Sequence, residues 1–186
     1  MKNIIMSTCL VLLVSACTKS KPDESTDLPT PIDTLTHIID YGKSSTLKNG
    51  TPWNAVLFAT YVPNNRNRFR IGGSVKQDGF NHIFSIDDIT SKEGLQPIER
   101  RNLWNTNNGI PDAVYFVVLD QDQLITFYNV DSTSFIKQYV EVLHYDSSSN
   151  VVEGRFQTFL ESSNAWSILP DTIKMTEGKF HLKIKE

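Results

Sequence analysis

Four histidines, two cysteines and one loop rich in arginine, asparagine and tryptophan are the residues of this 186-residue chain with chemistry to offer. The histidines, His37, His82, His144 and His181, fall far apart. None forms a His-x-His or His-x-x-x-His pair and no cysteine accompanies them, so the spacing of a metal site is missing. They read as solvated or capping side chains. Asp120-Gln121-Asp122 could open a calcium loop but lacks the third ligand, the central glycine and the closing glutamate. A hairpin turn explains it more simply. No Gly-x-Ser-x-Gly elbow presents a nucleophilic serine. Asp87 and Asp88 are adjacent, so on a strand their carboxylates point to opposite faces unless the backbone bends. A glycosidase needs two carboxyls about 5–9 Å apart across a cleft. The expectation is a non-catalytic protein without cofactor or metal, with a hydrolase the least favoured reading.

Binding chemistry concentrates in Ser91–Asp112, a stretch punctuated by Gly94, Pro97, Gly109 and Pro111 and almost without periodicity. Loops of that length inside compact domains usually carry function. Trp104 offers a flat apolar face, while Arg100, Arg101, Asn102 and Asn105 offer partners for hydroxyls or carboxylates. These five residues are the candidate site for a glycan or a protein partner. Their alternative role is packing, with Leu103 and Trp104 tucked into the core and the amides facing water.

Both cysteines lie near the N-terminus. Lys2 supplies a positive start, Ile4–Val14 is almost wholly apolar, and Val14-Ser15-Ala16 places small residues ahead of Cys17. This order describes a secretory signal, and the apolar run falls short of the ~20 residues that span a bilayer. A cysteine directly after Val-Ser-Ala resembles the lipobox of bacterial lipoproteins. The resemblance implies removal of residues 1–16, acylation of Cys17 and anchoring in the cell envelope, at the outer membrane. More than one acyl chain then holds the protein stably. Cys9 leaves with the signal, so Cys17 keeps no intramolecular disulfide partner. Residues 17–36 read as a tether: Pro22, Pro29 and Pro31 stand among acidic and hydroxyl residues with almost nothing to bury. As a flexible coil it reaches on the order of 25 Å. Lys21-Pro22-Asp23-Glu24 loosely resembles the charged signals that send some lipoproteins to the outer cell surface.

Residues 37–186 are then left to form a single domain. Hydrophobic content of 39% and charged content of 21% suit a globular protein. The formal charge of −3 and the lack of any basic run beyond Arg100-Arg101 exclude a nucleic-acid footprint. Asn49-Gly50 is a hairpin dipeptide. Phe69, Ile71, Gly73 and Val75 alternate with Arg68, Arg70, Ser74 and Lys76, and Phe180, Leu182 and Ile184 alternate with lysines. Period-two patterns of this kind predict half-buried strands. Gly72-Gly73 points to a bulge or a close backbone approach. Ala113–Leu119 is apolar throughout and predicts a central strand buried on both faces. Glu177-Gly178 is expected to turn the chain between two last strands, and Ser132–Lys137 could make a short helical turn. The fold class is all-β: one antiparallel sandwich or partly open barrel of about nine or ten short strands.

Asn49-Gly50-Thr51-Pro52-Trp53, Gly154-Arg155-Phe156 and Thr176-Glu177-Gly178-Lys179-Phe180 together resemble a family of small exported lipoproteins of Gram-negative bacteria, assigned only to a domain of unknown function. The resemblance spans Ser45–Ile184 and implies an all-β domain behind a lipid anchor, with no catalytic residues to carry over. The expected function is a lipid-anchored binding or surface-interaction module. The alternative is a structural or accessory subunit of an envelope assembly.

Overall fold

The computed structural model describes residues 40–101, 109–119, 123–163 and 169–186. Among them are eleven strands and no helix: β1 (Lys43–Lys48), β2 (Thr51–Pro52), β3 (Val56–Val62), β4 (Asn65–Gln77), β5 (Phe80–Thr90), β6 (Gly94–Pro97), β7 (Asp112–Leu119), β8 (Leu124–Val130), β9 (Tyr139–Asp146), β10 (Val151–Ser162) and β11 (Thr172–Lys185). The expected all-β class is the class observed. The strands are longer and more numerous than expected, and their order is β2-β1-β11-β3-β4-β5-β7-β8-β10-β9-β6 with β10 also paired to β11. That extra pairing closes seven strands into a ring, while β1–β2 and β9–β6 extend from it as flaps. Every pairing is antiparallel except one: β3 meets β11 in parallel through Ile184↔Ala59 and Lys185↔Thr60. The sheet is therefore mixed, where a purely antiparallel one was expected.

The ring is narrow, because side chains from its opposite sides touch. Phe84 of β5 stacks on Phe156 of β10 with centroids 5.5 Å apart. Trp53 packs edge-on against Phe84 at 6.0 Å, and the cross-strand neighbours Tyr115 and Tyr128 meet edge-on at 5.9 Å. Alternation delivers Phe69, Ile71, Phe180 and Ile184 to the core as expected, and Phe84 and Ile86 of β5 join them there. β7 departs from its expected burial on both faces. Ala113, Tyr115 and Val117 enter the core, but Val114, Phe116 and Val118 are only half-covered on the outside.

Glu177-Gly178 is not a turn. β11 runs straight through it, with Glu177 at φ 52° and a register shift opposite Phe156 and Thr158. A residue in the left-handed region suits a tight turn or a bulge equally well, and here it makes a bulge. The glycine that follows serves packing. Gly178 lies opposite Phe156 and Gly154 lies opposite Phe180 in the β10–β11 ladder. A Cβ on Gly178 would stand 2.5 Å from the Phe156 ring; one on Gly154 would stand 2.4 Å from Phe180 and 2.3 Å from the Glu141 carbonyl oxygen. Each glycine is covered by the ring of the other strand. Gly72 and Gly73 likewise admit Phe58 and Leu57, so the close-approach reading of that pair holds. Ser132–Lys137 forms a turn, not a helical one, because Asp131 Oδ1 accepts from the Thr133 backbone N–H at 2.8 Å and closes it locally.

Gly154→Ala should destabilise the protein by about 1–3 kcal/mol, the usual cost of overpacking a filled core. Denaturant melts would measure it. The same substitution at Gly50, where nothing lies within 4 Å but φ is 79°, tests conformational strain alone.

Candidate functional site

The stretch Ser91–Asp112 is less irregular than its composition suggests, since Gly94–Pro97 pairs with β9 as the edge strand β6. Glycine and proline at its two ends hid it. After β6 the Ile98 N–H donates to the Gln138 carbonyl (3.1 Å) and the Glu99 N–H to the Pro111 carbonyl (2.9 Å). Both ends of the loop are thereby held together. Asn102, Trp104 and Asn105 lie outside the described residues, as do Cys17, His37 and the residues 120–122.

Arg100 and Arg101 are brought to the base of the loop and point to different partners. Arg100 donates to Glu161 Oε1 at 2.6 Å. Arg101 reaches Asp88 Oδ2 at 3.2 Å and Asp112 Oδ2 at 3.5 Å, and its backbone N–H donates to Asp112 Oδ1 at 3.3 Å. Asp87 and Asp112 are cross-strand neighbours in the β5–β7 ladder. Simple alternation sends Asp87 and Asp88 to opposite faces, but Asp88 adopts φ 60° at the β4–β5 register shift. With the bend, Asp88 pairs with Arg101 while Asp87 pairs with Arg70 and lies within the field of Arg101. Burial raises Asp87 and Asp112 above the ordinary carboxylate range, opposed by Arg70 and Arg101 at Asp87 and by Arg101 at Asp112. Arg70 stands 3.7 Å from Asp87, an ion pair beyond hydrogen-bond distance. Each carboxylate at this corner faces an arginine, so the cluster fastens the loop to the sheet.

Beside Arg100 a cleft of about 420 Å³ opens between Ile98–Arg100 and the β8–β9 connection. Its size falls in the range of small-ligand sites. The buried Ile98 and Val130 contribute apolar lining, with Ile136 beside them, and Glu99, Asp131, Ser132 and Ser134 make it polar elsewhere. Gln138 ties the walls together: its amide donates to the Asp131 carbonyl (2.6 Å), and its oxygen accepts from Thr158 Oγ1 (3.0 Å) and the Phe159 N–H (2.9 Å). Hydrogen bonds from the Thr133 hydroxyl and the neighbouring backbone hold Asp131 below the ordinary carboxylate range. Phe135 is fully exposed and Ile136 half so. Of the two sequence candidates among the described residues, Arg100 lines this cleft and Arg101 does not. The signal for the rest was the apolar pair Phe135-Ile136 inside the polar stretch Asp131–Lys137.

The three described histidines take no common site. His144 Nδ1 lies 3.1 Å from Glu93 on the surface, and His181 packs edge-on against Tyr41. His82 corrects the expectation of a solvated side chain: it is 6% exposed, and burial followed by the nearby Lys48 charge lowers its pKa. No three His, Cys, Asp or Glu converge as metal ligands among the described residues. No family model, curated protein or solved structure matches the chain.

Arg101→Ala should cost about 1–2 kcal/mol at neutral pH, less than a fully buried pair because Arg101 is 41% exposed. Asp87 and Asp112 have raised folded pKa values, so their ionisation opposes folding as pH climbs above the unfolded value of 3.8. The deficit of Arg101→Ala should therefore shrink as pH falls through the raised folded values and be smallest once pH reaches 3.8. Asp112→Asn at pH 7 removes a charge that burial disfavours and keeps an oxygen for the Arg101 N–H, so it should cost less than Arg101→Ala. Thermal melts from pH 3 to 8 would check all three.

Proposed function

We propose that this protein is an exported lipoprotein, acylated at Cys17 and held at the outer membrane of the cell envelope, whose β domain is a non-catalytic binding module. The run Lys2, Ile4–Val14, Ser15-Ala16 and Cys17 supports the anchor, as does the likeness of the Gly-x-Phe stretches to small exported lipoproteins. The observation that carries the binding reading is the cleft beside Arg100. Its walls are pinned by backbone and glutamine hydrogen bonds before any ligand arrives, and preorganisation of that kind lowers the entropic cost of association. An apolar lining with charged and hydroxyl groups around it suits a ligand with both faces, a sugar or a peptide side chain.

A second reading, an accessory subunit of an envelope assembly, is favoured by the outer face of the β3–β8 sheet. Val56, Ser74, Ile83, Phe116 and Phe127 form one cross-strand row. Val56, Ile83, Phe127 and the nearby Phe58 are exposed, and Phe116 stacks on Phe127 at 6.5 Å. Contiguous apolar surface on a soluble face marks contact with another protein.

Cys17→Ser should shift the chain from the membrane to the soluble fraction of fractionated cells. A thermal-shift screen of the full chain in mild detergent, against oligosaccharides and short peptides, tests the cleft. A ligand at 100 times its dissociation constant adds about 2.7 kcal/mol. The expected result is a specific shift that Ile136→Asp abolishes. A flat screen, with Val56→Ser and Phe127→Ser removing an envelope partner that Ile136→Asp retains, would overturn it in favour of the subunit reading.

A further inference from the structure

The cleft beside Arg100 is electrostatically one-sided. Among the described residues Arg100 is its one cationic lining residue, and that guanidinium is drawn onto Glu161 at 2.6 Å. Glu99 and Asp131 bring carboxylates to the same lining. The field of Arg100 also reaches Asp131, yet the strongest influence on that carboxylate is the Thr133 hydroxyl, which keeps it ionised without consuming its charge. Thr133 bonds Oδ1 through both its hydroxyl and its backbone N–H. With Glu161 answering Arg100, the surplus at the cleft is negative.

The apolar side chains are arranged to match. Ile98 and Val130 are buried, Ile136 lines the opening, and Phe135 stands wholly exposed one residue away. An aliphatic stem could lie along such a lining with its charged head at the carboxylates, the way lysine and arginine divide themselves between apolar and wet surroundings. An exposed phenyl ring adds a face that attracts a cation. A neutral sugar would use the hydroxyls of Ser132 and Ser134 but leave the charge surplus unanswered.

We propose that the cleft receives a lysine or arginine side chain from an extended basic segment of a partner protein. This rests on the binding-module reading and specifies its ligand. Two features, the charge surplus and the apolar lining, meet at one opening whose walls Gln138 fixes.

The test uses the full chain in mild detergent and three labelled probes read by fluorescence anisotropy: a capped tri-lysine peptide, a capped tri-glutamate peptide and a neutral trisaccharide. The lysine peptide should bind, weakening at least tenfold when salt rises from 50 to 500 mM. Asp131→Asn keeps an oxygen for Thr133, and Glu99→Gln is an exposed change, so both variants should fold. Each should weaken the lysine peptide several-fold, and Phe135→Ser should weaken it without altering the salt dependence. Equal binding of the glutamate peptide, or a lysine affinity unchanged in Asp131→Asn and Glu99→Gln, would overturn the proposal. Trisaccharide binding that Ile136→Asp abolishes, without lysine-peptide binding, overturns the basic ligand and leaves the binding module standing. No binding of any probe, with Ile136→Asp leaving every envelope interaction intact, overturns both.

Discussion

Two glycines and two phenylalanines, crossed between β10 and β11, are the contact on which the architecture turns. Phe156 lies over Gly178 and Phe180 over Gly154, each ring within a distance no Cβ would permit. Aromatic cover of a strand glycine restores the contacts that the missing side chain gives up. The arrangement also lets Phe156 sink far enough to stack on Phe84 across the ring. Both strands carry more than one neighbour on an edge: β10 bonds β9 and then β8, and β11 bonds β1 and then β3. The seams that close the ring are short, three residue pairs at β8–β10 and two at β3–β11. Closure by so few hydrogen bonds depends on the long, interlocked β10–β11 ladder holding its register. A bulge at Glu177 supplies the local twist that lets one strand serve two neighbours.

The same economy governs the loop. A connection rich in glycine, proline and amides has little apolar surface with which to bind itself to a sheet. Here charge does that work at a corner where carboxylates are half-removed from water. Burying Asp87 and Asp112 opposes their ionisation, and Arg101 and Arg70 compensate. Removing the cation would leave buried charge behind, which is more damaging than never having had the pair. Arg100 and Arg101 look like ligand-binding residues in the sequence because both roles, gripping a partner and gripping one's own sheet, call for the same donors.

The class of fold was legible because period-two alternation is a local signal: Phe69–Val75 and Phe180–Ile184 could bury only one face. The long-range features were not. Nothing local distinguishes a Glu-Gly turn from a Glu-Gly bulge, since both place one residue at positive φ and differ only in what lies opposite. The edge strand β6 escaped notice because four residues flanked by glycine and proline carry no periodicity. His82 was misread as solvated or capping although it shares its parity with Phe84 and Ile86, so period-two alternation already pointed it inward. Register agrees, and His82 pairs with Val117 on the inner side. The cleft was illegible for a further reason. Ile98 follows β6, while Val130, Asp131 and Gln138 come from the end of β8 and its connection to β9, and only the β6–β9 ladder brings the two walls together.

Where the polar atoms of the core sit argues for a division of labour within the ring. Trp53 Nε1, His82 Nδ1 and Tyr115 OH find no partner of hydrogen-bond geometry, nor does Asp87 Oδ1 at the loop corner, and the amine of Lys48 rides 5.1 Å above the Tyr115 ring. Burial raises the Tyr115 phenol pKa and lowers that of Lys48. Each unpartnered buried group costs about 1–3 kcal/mol, so this region spends stability that the rest of the core must supply. The cleft walls show the opposite pattern, with Gln138 making three hydrogen bonds and Asp131 fully engaged through one oxygen. A binding surface gains from rigidity, because a preformed wall loses no further entropy when a ligand arrives. Most of the unpartnered atoms gather around Tyr115, and hydrogen bonds are kept at the surface a partner would meet.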